Sequence, residues 1–302
     1  MALNSERLKT LYPFRSRWMD LGGLIMHYID EGSGDPVVMV HGNPSWSFHF
    51  RALIKELRPD HRCIAIDHIG CGLSEKPGDD RYAYTLARRV ANLEALLARL
   101  RITDNITLVL HDWGGMIGMA YAARHPRRIK RLILFNTAAF PLPPGKNLPT
   151  SLKIARTILA GPLLVQGLNA FALGTSWIGC RRRPMSPEIR RFYLAPYDTW
   201  ENRRATLRFV QDIPLKPSDP AYALVRSTGD ALRVFRRTPT AIFWGGQDPV
   251  FDADFLSEWR RRLPEARVHE FPDAGHYVLE DAGEEIIPLA RRFLADHPVP
   301  AG

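Results

Sequence analysis

The most diagnostic segment of the chain is Ile106-Thr107-Leu108-Val109-Leu110-His111-Asp112-Trp113-Gly114-Gly115. Its apolar run, Ile106 to Leu110, predicts a buried strand, and the Gly-rich turn leads into a predicted helix from Met116 to His125. A strand that breaks into such a turn before a helix forms a nucleophile elbow. The elbow exposes one side chain at the carboxyl-terminal edge of a parallel sheet. Here that side chain is Asp112.

The residue type at this apex indicates the chemistry. A carboxylate is already ionised at neutral pH, so it needs no base to activate it, whereas a serine does. A catalytic histidine would therefore serve a later step, which favours displacement at an alkyl carbon over acyl transfer. The alternative is that Asp112 only caps the helix that follows it.

Short apolar runs alternate with longer amphipathic runs on both sides of this segment. The alternation predicts an α/β fold in which helices flank a mostly parallel sheet. Helices are predicted at Phe50–Leu57, Thr85–Leu100 and Gly115–Ala123. Strands are predicted at Leu24–Ile29, Val37–Val40, Arg62–Ile66, Thr107–Leu110, Leu132–Phe135, Thr240–Trp244 and Arg267–Phe271.

The alternation stops after Phe135 and resumes only beyond Arg236. The intervening segment is Pro-rich at its start and then mostly helical in pattern. We therefore expect a core domain of residues 1–136 and 237–302 and an inserted helical cap of residues 137–236. Its apolar stretch Ile158 to Gly174 is shorter than the roughly 20 residues of a membrane span. We predict a cap or core helix there that lines a channel for alkyl chains, with binding of a membrane or a partner helix as the alternative.

Two more residues complete a candidate catalytic set. Asp248 follows the predicted strand that ends at Trp244, and His276 follows the strand that ends at Phe271. Nucleophile, acid and histidine then come in the order typical of an elbow-type site. His276 would deprotonate water in a hydrolase, while Asp248 would orient and stabilise the imidazole. The alternatives are that Asp248 starts a turn and that His276 is a hydrogen-bonded loop residue.

A second motif, His41-Gly42-Asn43-Pro44, follows the strand that ends at Val40. The backbone amides of Asn43 and Trp113 are predicted to form an oxyanion hole. Their side chains are neutral donors, so they could hold a departing anion such as a halide or a carboxylate. The alternatives are a turn residue for Asn43 and a core aromatic for Trp113. Three histidines near strand ends fit better as structural anchors: His41, His68 and His111.

Composition narrows the function classes. The chain has 302 residues and a net charge of +9, but its arginines are scattered and no nucleic-acid motif accompanies them. The charge therefore indicates a solvated surface or contact with an anionic membrane or an acidic partner.

No cofactor or metal site is predicted, because Cys63, Cys71 and Cys180 fall in no ligand or disulfide pattern. Residues Met1 to Phe14 lack the apolar core of a secretory signal, so a cytoplasmic location is expected.

These motifs resemble the α/β-hydrolase superfamily and, within it, the haloalkane dehalogenases. The resemblance covers nearly the whole chain and is weakest in the cap. One dehalogenase branch carries its acid as Glu after the sixth strand of the fold, where this chain has Asn136, so Asp248 is the better acid. The matching site residues are Asn43, Asp112, Trp113, Asp248 and His276.

Three longer strings are similar to the β-lactone decarboxylases of bacterial olefin biosynthesis, a group often placed as a third dehalogenase subfamily. The resemblance implies a long-chain cis-3,4-dialkyl oxetan-2-one as substrate, and a cis-alkene and carbon dioxide as products. It also implies pathway partners, namely a thiolase, a ketone reductase and a lactone synthetase. The strings are Asp67-His68-Ile69-Gly70-Cys71-Gly72-Leu73-Ser74, Phe135-Asn136-Thr137-Ala138-Ala139-Phe140-Pro141 and Asp273-Ala274-Gly275-His276-Tyr277-Val278-Leu279-Glu280-Asp281.

Three other functions remain open from the residues alone. A haloalkane dehalogenase would use the same site. An epoxide hydrolase would add paired cap tyrosines, for which Tyr193, Tyr197 and Tyr222 are available, but that family normally has Gly before the histidine and an aromatic residue in the oxyanion loop. This chain has Leu110 and Asn43 instead. A catalytically silent receptor or scaffold on the same fold is the non-enzymatic alternative.

Overall fold

The computed structural model describes residues 10–299. Its strands are β1 (Ser16–Asp20), β2 (Ile25–Glu31), β3 (Pro36–Val40), β4 (Arg62–Ile66), β5 (Ile106–Asp112), β6 (Ile129–Thr137), β7 (Thr240–Gly245) and β8 (Arg267–Phe271). They form one sheet in the order β1-β2-β4-β3-β5-β6-β7-β8. β2 is antiparallel to β1 and to β4, and the other pairs are parallel. The predicted mostly parallel α/β fold is confirmed.

Helices cover both faces of this sheet. They are α1 (Arg51–Leu57), α2 (Leu86–Arg99), α3 (Trp113–Arg124), α4 (Thr150–Ala155), α5 (Ala170–Ile178), α6 (Pro187–Leu194), α7 (Arg204–Gln211), α8 (Tyr222–Ala231), α9 (Ala253–Arg262), α10 (Val278–Asp281) and α11 (Gly283–Asp296). Alternate residues of β3 therefore pack into two separate apolar clusters, with Val38 and Val40 in one and Val37 and Met39 in the other. Burial on both faces explains why the central strands are continuously apolar.

All seven predicted strands form, and the structure adds β1. This strand was not predicted because its sequence, Ser16–Asp20, mixes charged and apolar residues. It pairs only with β2 at the edge of the sheet, where Trp18 remains 56% exposed. An edge strand with one open side needs no continuous apolar pattern.

Residues 137–236, hereafter the cap segment, begin at the last residue of β6 and end before β7, and residues 138–236 contain helices and turns without a strand. The prediction of one helix across Ile158 to Gly174 is wrong. The chain instead makes a turn, a short π-helix at Pro162–Gly167 and then α5. Asn169 interrupts the helical path with a left-handed φ of 52°, which asparagine tolerates better than most residues. Among residues 10–299, no helix is long and apolar enough to span a membrane.

Candidate active site

Asp112 lies at a sharp turn between β5 and α3. Its φ of 53° and ψ of −125° are unusual for a residue with a side chain, as expected at a nucleophile elbow. Close packing explains the glycines that follow. A Cβ on Gly114 would lie 1.9 Å from the carbonyl oxygen of Val40, and one on Gly115 would lie 1.9 Å from Oγ1 of Thr137. This turn therefore requires glycine at both Gly114 and Gly115, since a side chain at either position would clash.

The Asp112 carboxylate is buried, and it accepts a hydrogen bond of 2.5 Å at Oδ1 from the backbone amide of Asn43. Burial raises its pKa from 3.8 to about 6, although His276 and the backbone amides of Asn43 and Trp113 favour the anion. With Oδ1 held by the backbone amide of Asn43, Oδ2 is the oxygen on the side of His276. The side chain makes no hydrogen bond that caps α3.

The structure brings the other two predicted residues to this carboxylate. Nε2 of His276 lies 4.0 Å from Oδ2 of Asp112, and Nδ1 lies 2.7 Å from Oδ2 of Asp248. The second oxygen of Asp248 accepts backbone amides of Val250 and Phe251 at 2.8 and 3.1 Å, which fix its orientation. Burial lowers the pKa of His276, but attraction and hydrogen bonding to Asp248, together with Asp112, outweigh burial and raise the pKa above 6.5. The surroundings of His276 therefore favour the imidazolium form more than water does.

Asn43 and Trp113 lie beside Asp112, and all three line the same cavity. The Asn43 side chain also has a partner that was not predicted. Its Nδ2 donates a hydrogen bond of 3.1 Å to the backbone carbonyl of Thr206 in the cap segment. One amide hydrogen remains for a ligand, while the other joins the oxyanion loop to α7. The Trp113 ring packs against Phe209 with centroids 5.3 Å apart, and its indole N–H is a donor.

A cavity of about 470 Å³ adjoins these residues. Its lining is almost entirely apolar away from the catalytic set, and it comes from the core, from α4 and α5, and from the end of α7. An apolar chamber with a few polar groups at one end suits a ligand that carries alkyl chains on a small polar head. The apolar lining includes Met116, Phe140, Leu142, Leu148, Leu152, Ile154, Leu164, Val165, Phe171, Ile178, Val210, Ile213, Val250, Phe251 and Phe255.

The remaining histidines near the site are buried anchors, in line with their predicted role. His41 Nδ1 donates to the carbonyl of Gly42 at 2.7 Å, and His68 Nε2 donates to the carbonyl of His41 at 2.9 Å. His111 Nε2 donates to the carbonyl of His276 at 3.0 Å. Burial lowers the pKa of all three histidines, so they stay neutral.

Several supporting residues were not predicted from the sequence. Oγ1 of Thr137 donates to the carbonyl of Asp112, and Asp281 accepts the backbone amide of Gly275 at 2.7 Å, one residue before His276. Asn136 bridges β6 and β7 through both hydrogen bonds to the Gly245 backbone. It therefore joins the ends of β6 and β7 through its side chain.

The three tyrosines available to an epoxide hydrolase do not line the cavity. Tyr193 bonds to Glu280 and to His49, and Tyr197 donates to the carbonyl of Ser45 at 2.8 Å. Tyr222, like the other two, is absent from the cavity lining. The three cysteines are buried and free, and the described residues include no cluster of potential metal ligands.

Comparison with known proteins identifies the family to which this chain belongs. A family model described as the α/β hydrolase fold matches residues 35–283, so the chain belongs to the α/β-hydrolase family. It is 55% identical to a cis-3-alkyl-4-alkyloxetan-2-one decarboxylase of Shewanella oneidensis, over 96% of this chain and 91% of the relative. A protein of the same name from Xanthomonas campestris pv. campestris is 48% identical, over 95% and 98% of the two chains. The resemblance predicted from the motifs is confirmed.

The structural neighbours are haloalkane dehalogenases. The crystal structure of haloalkane dehalogenase DatA from Agrobacterium tumefaciens C58 superposes with a TM-score of 0.83 at 26% identity, covering 94% of this chain and 97% of that one. A haloalkane dehalogenase of Mycobacterium marinum is 34% identical over 94% of both chains. The dehalogenases are thus more distant in sequence than the decarboxylases.

Proposed function

We propose that this protein is a β-lactone decarboxylase that converts long-chain cis-3,4-dialkyl oxetan-2-ones to cis-alkenes and carbon dioxide. The observation that carries the proposal is the 55% and 48% identity, over nearly the whole chain, to two proteins named cis-3-alkyl-4-alkyloxetan-2-one decarboxylase. The cavity supports it, since an apolar chamber beside a buried carboxylate suits a small polar ring with two alkyl chains.

In the first step, Oδ2 of Asp112 attacks the ring carbon that bears the alkyl chain and the ring oxygen. The carbon–oxygen bond of the strained ring breaks, and the ring oxygen leaves as part of a carboxylate. The backbone amide of Asn43, 2.5 Å from Oδ1, supports the other oxygen of the new ester. The indole N–H of Trp113 and the remaining amide hydrogen of Asn43 are the donors for the released carboxylate.

In the second step, the carboxylate leaves as carbon dioxide and its bonding electrons form the double bond. The ester bond to Asp112 breaks at the same time, which regenerates the free carboxylate. Displacement inverts the attacked carbon and anti elimination follows, so the cis relationship of the two chains is retained. The lactone supplies every atom of both products, so no water, oxidant or cofactor is consumed.

No net proton transfer occurs in this route, which changes the role of the histidine. We assign His276 as an imidazolium that stabilises negative charge on Asp112 and on the substrate carboxylate, rather than as a base for water. Its raised pKa and its 2.7 Å contact with Asp248 support this assignment. In a dehalogenase the same residue would instead deprotonate water to hydrolyse the ester.

The division into a core of residues 1–136 and 237–302 and a cap of residues 137–236 belongs to the same proposal. The cap segment supplies most of the apolar wall above Asp112, including side chains of α4 and α5. In this division the core carries the reacting groups and the cap holds the alkyl chains. Residues 1–9 and 300–302 lie outside the described part of the chain.

A second candidate function is haloalkane dehalogenation, which the structural neighbours favour. A halide is also an anionic leaving group, and the Asn43 and Trp113 donors would serve it equally well. The epoxide hydrolase alternative has less support, because the cap tyrosines bond elsewhere and do not line the cavity. The last alternative is a catalytically silent receptor or scaffold, and any measured turnover would exclude it.

The proposal also places the protein in olefin biosynthesis in the cytoplasm. Its substrate would come from a reaction that closes a β-lactone, and the partners implied by the resemblance are the lactone synthetase, the ketone reductase and the thiolase. Such intermediates with long alkyl chains are poorly soluble, so peripheral contact with a membrane is part of the same proposal.

A comparison of three substrates tests the function. The purified protein is incubated separately with a cis-dialkyl β-lactone, a 1-iodoalkane and a terminal epoxide, and products are followed by gas chromatography and halide detection. We expect cis-alkene from the lactone, lost in Asp112→Ala. Rapid halide release without alkene would assign the protein to the dehalogenases instead.

A further inference from the structure

Apolar side chains are concentrated on one part of the protein surface. Of the twelve large hydrophobic residues that the described chain exposes, nine lie between residues 154 and 200. Ile158 and Leu159 are 84% and 88% exposed in the turn before the π-helix, so they project into solvent. These nine residues, the cap apolar surface, are Ile154, Ile158, Leu159, Leu163, Leu168, Leu173, Trp177, Ile178 and Trp200.

The cap apolar surface is continuous with the active-site cavity. Ile154 of α4 and Ile178 of α5 both line the cavity, yet they are 45% and 49% exposed. Each residue therefore lies at the rim where the chamber meets the outer surface. A ligand leaving Asp112 along the apolar wall would emerge among exposed apolar side chains.

The same segment carries the excess positive charge of the protein. Residues 137–236 contain 15 Lys and Arg against six Asp and Glu, whereas the rest of the chain contains 26 of each. The net charge of +9 therefore belongs to the cap segment. Lys153 in α4, Arg181 and Arg191 are exposed near the apolar residues in sequence. Basic side chains around an apolar patch are attracted to the anionic headgroups of a bilayer.

A cation–π contact adds to this character. The guanidinium of Arg190 lies 3.4 Å from the ring centroid of Trp177, and the indole remains 60% exposed. Tryptophan is enriched at the interface of membranes with water, where its ring contacts both the headgroups and the acyl chains.

We propose that the cap apolar surface docks this protein peripherally on an anionic lipid bilayer, with the mouth of the cavity facing the acyl chains. The proposal rests on the proposed function, because it explains how a substrate with two long alkyl chains reaches Asp112 without crossing water. A protein partner or a second copy seated on this surface would cover the rim at Ile154 and Ile178. A fluid bilayer leaves a path through that rim.

Vesicle binding tests the proposal without catalysis. Wild-type protein is floated with vesicles of phosphatidylcholine alone and of phosphatidylcholine mixed with phosphatidylglycerol. We expect binding to the anionic vesicles at least about tenfold tighter than to the neutral ones, weakened by added salt. The double variant Ile158→Glu and Leu159→Glu should bind about tenfold or more weakly. Val234→Glu is the matched control, since Val234 is 58% exposed outside the cap apolar surface, and it should bind as wild type does.

Turnover in the same samples separates this proposal from the proposed function. Neither Ile158 nor Leu159 lines the cavity, so the double variant should convert a short, water-soluble lactone at the wild-type rate. A long-chain lactone presented in anionic vesicles should be converted about tenfold more slowly by the variant. Absence of wild-type binding to anionic vesicles, equal binding by the double variant, or a wild-type dimer that the double variant abolishes would each overturn the docking proposal. If the wild-type protein did not convert the soluble lactone, that result would overturn the proposed decarboxylase function alone.

Discussion

Asn43 joins the oxyanion loop to the cap segment, because its side-chain Nδ2 donates a 3.1 Å hydrogen bond to the backbone carbonyl of Thr206. The backbone amide of the same residue donates to Oδ1 of Asp112 at 2.5 Å. One residue thus contacts both Asp112 and the cap segment. We therefore expect the position of α7 to be coupled to the geometry of the Asp112 carboxylate.

This coupling predicts the effect of Asn43→Ala. The variant keeps the backbone amide at Asp112 but loses the bond to the cap and one donor for the leaving carboxylate. We expect a kcat about tenfold lower and a free energy of unfolding about 1 kcal/mol lower, measured by steady-state kinetics and chemical denaturation. Thr206→Val is the control. It retains the carbonyl that accepts the bond and removes a buried hydroxyl that has no partner, so kcat should stay unchanged. Equal losses in both variants would contradict the coupling.

The pH dependence of turnover follows from the two titrating groups of the site. Asp112 must be ionised to attack, and its pKa is raised to about 6, so kcat/KM should fall as the pH drops through about 6. His276 acts as an imidazolium with a pKa raised above 6.5, so the rate should also fall at alkaline pH. In Asp248→Asn the imidazolium loses its carboxylate, and the alkaline limb should move to lower pH. A rate that rises to a plateau at high pH would indicate that His276 works as a base.

The buried carboxylate also affects stability. A pKa raised from 3.8 to about 6 means that the folded protein binds the Asp112 proton more tightly than the unfolded chain does. The free energy of unfolding therefore falls as the pH rises through this range. The cost of burying the ionised Asp112 carboxylate is fully present above about pH 6. Asp112→Asn should remove up to about 3 kcal/mol of this cost. We expect the variant to be inactive and to have a higher Tm than wild type at pH 8, with little difference at pH 4. A lower Tm at pH 8 would contradict the argument.

The elbow makes a prediction about its glycines. In Gly114→Ala the new Cβ would lie 1.9 Å from the Val40 carbonyl oxygen, which belongs to a buried central strand and has little freedom to move. We expect a loss of about 3 kcal/mol or more, or failure to fold. The matched control is Gly174→Ala in α5, where a Cβ meets no atom within 4 Å. That change should raise stability by up to about 1 kcal/mol, as urea denaturation of both variants would show. Similar losses at both sites would mean that close packing at Gly114 is not the cause.

Periodicity was sufficient to predict the central sheet, because strands buried on both faces are continuously apolar. It did not predict β1, an edge strand, or the broken path around Asn169, which depends on a single left-handed residue. The positions of Asp112, Asp248 and His276 could be predicted because each follows a strand whose end lies at the same sheet edge.

The hydrogen bond from Asn43 to the cap could not be predicted in the same way. It depends on how α7 packs over the oxyanion loop, and nothing local to Asn43 or to Thr206 indicates that contact. The support of the Gly275 amide by Asp281 was not predicted either, since the two residues meet only when the chain turns at His276 and Tyr277 into α10. Short-range patterns located the candidate site residues, while tertiary packing determined which of their hydrogen-bond donors are already engaged.

The central claim is that Asp112 attacks the alkyl carbon of a β-lactone and is released with carbon dioxide. The most direct measurement quenches turnover of a cis-dialkyl β-lactone and analyses the peptide that contains Asp112 by mass spectrometry. We predict a transient gain equal to the mass of the intact lactone, as an ester that withstands neutral hydroxylamine, followed by free Asp112 and cis-alkene. Alkene formation by Asp112→Ala at the wild-type rate, or an adduct that hydroxylamine cleaves to a β-hydroxy acid derivative, would contradict the account.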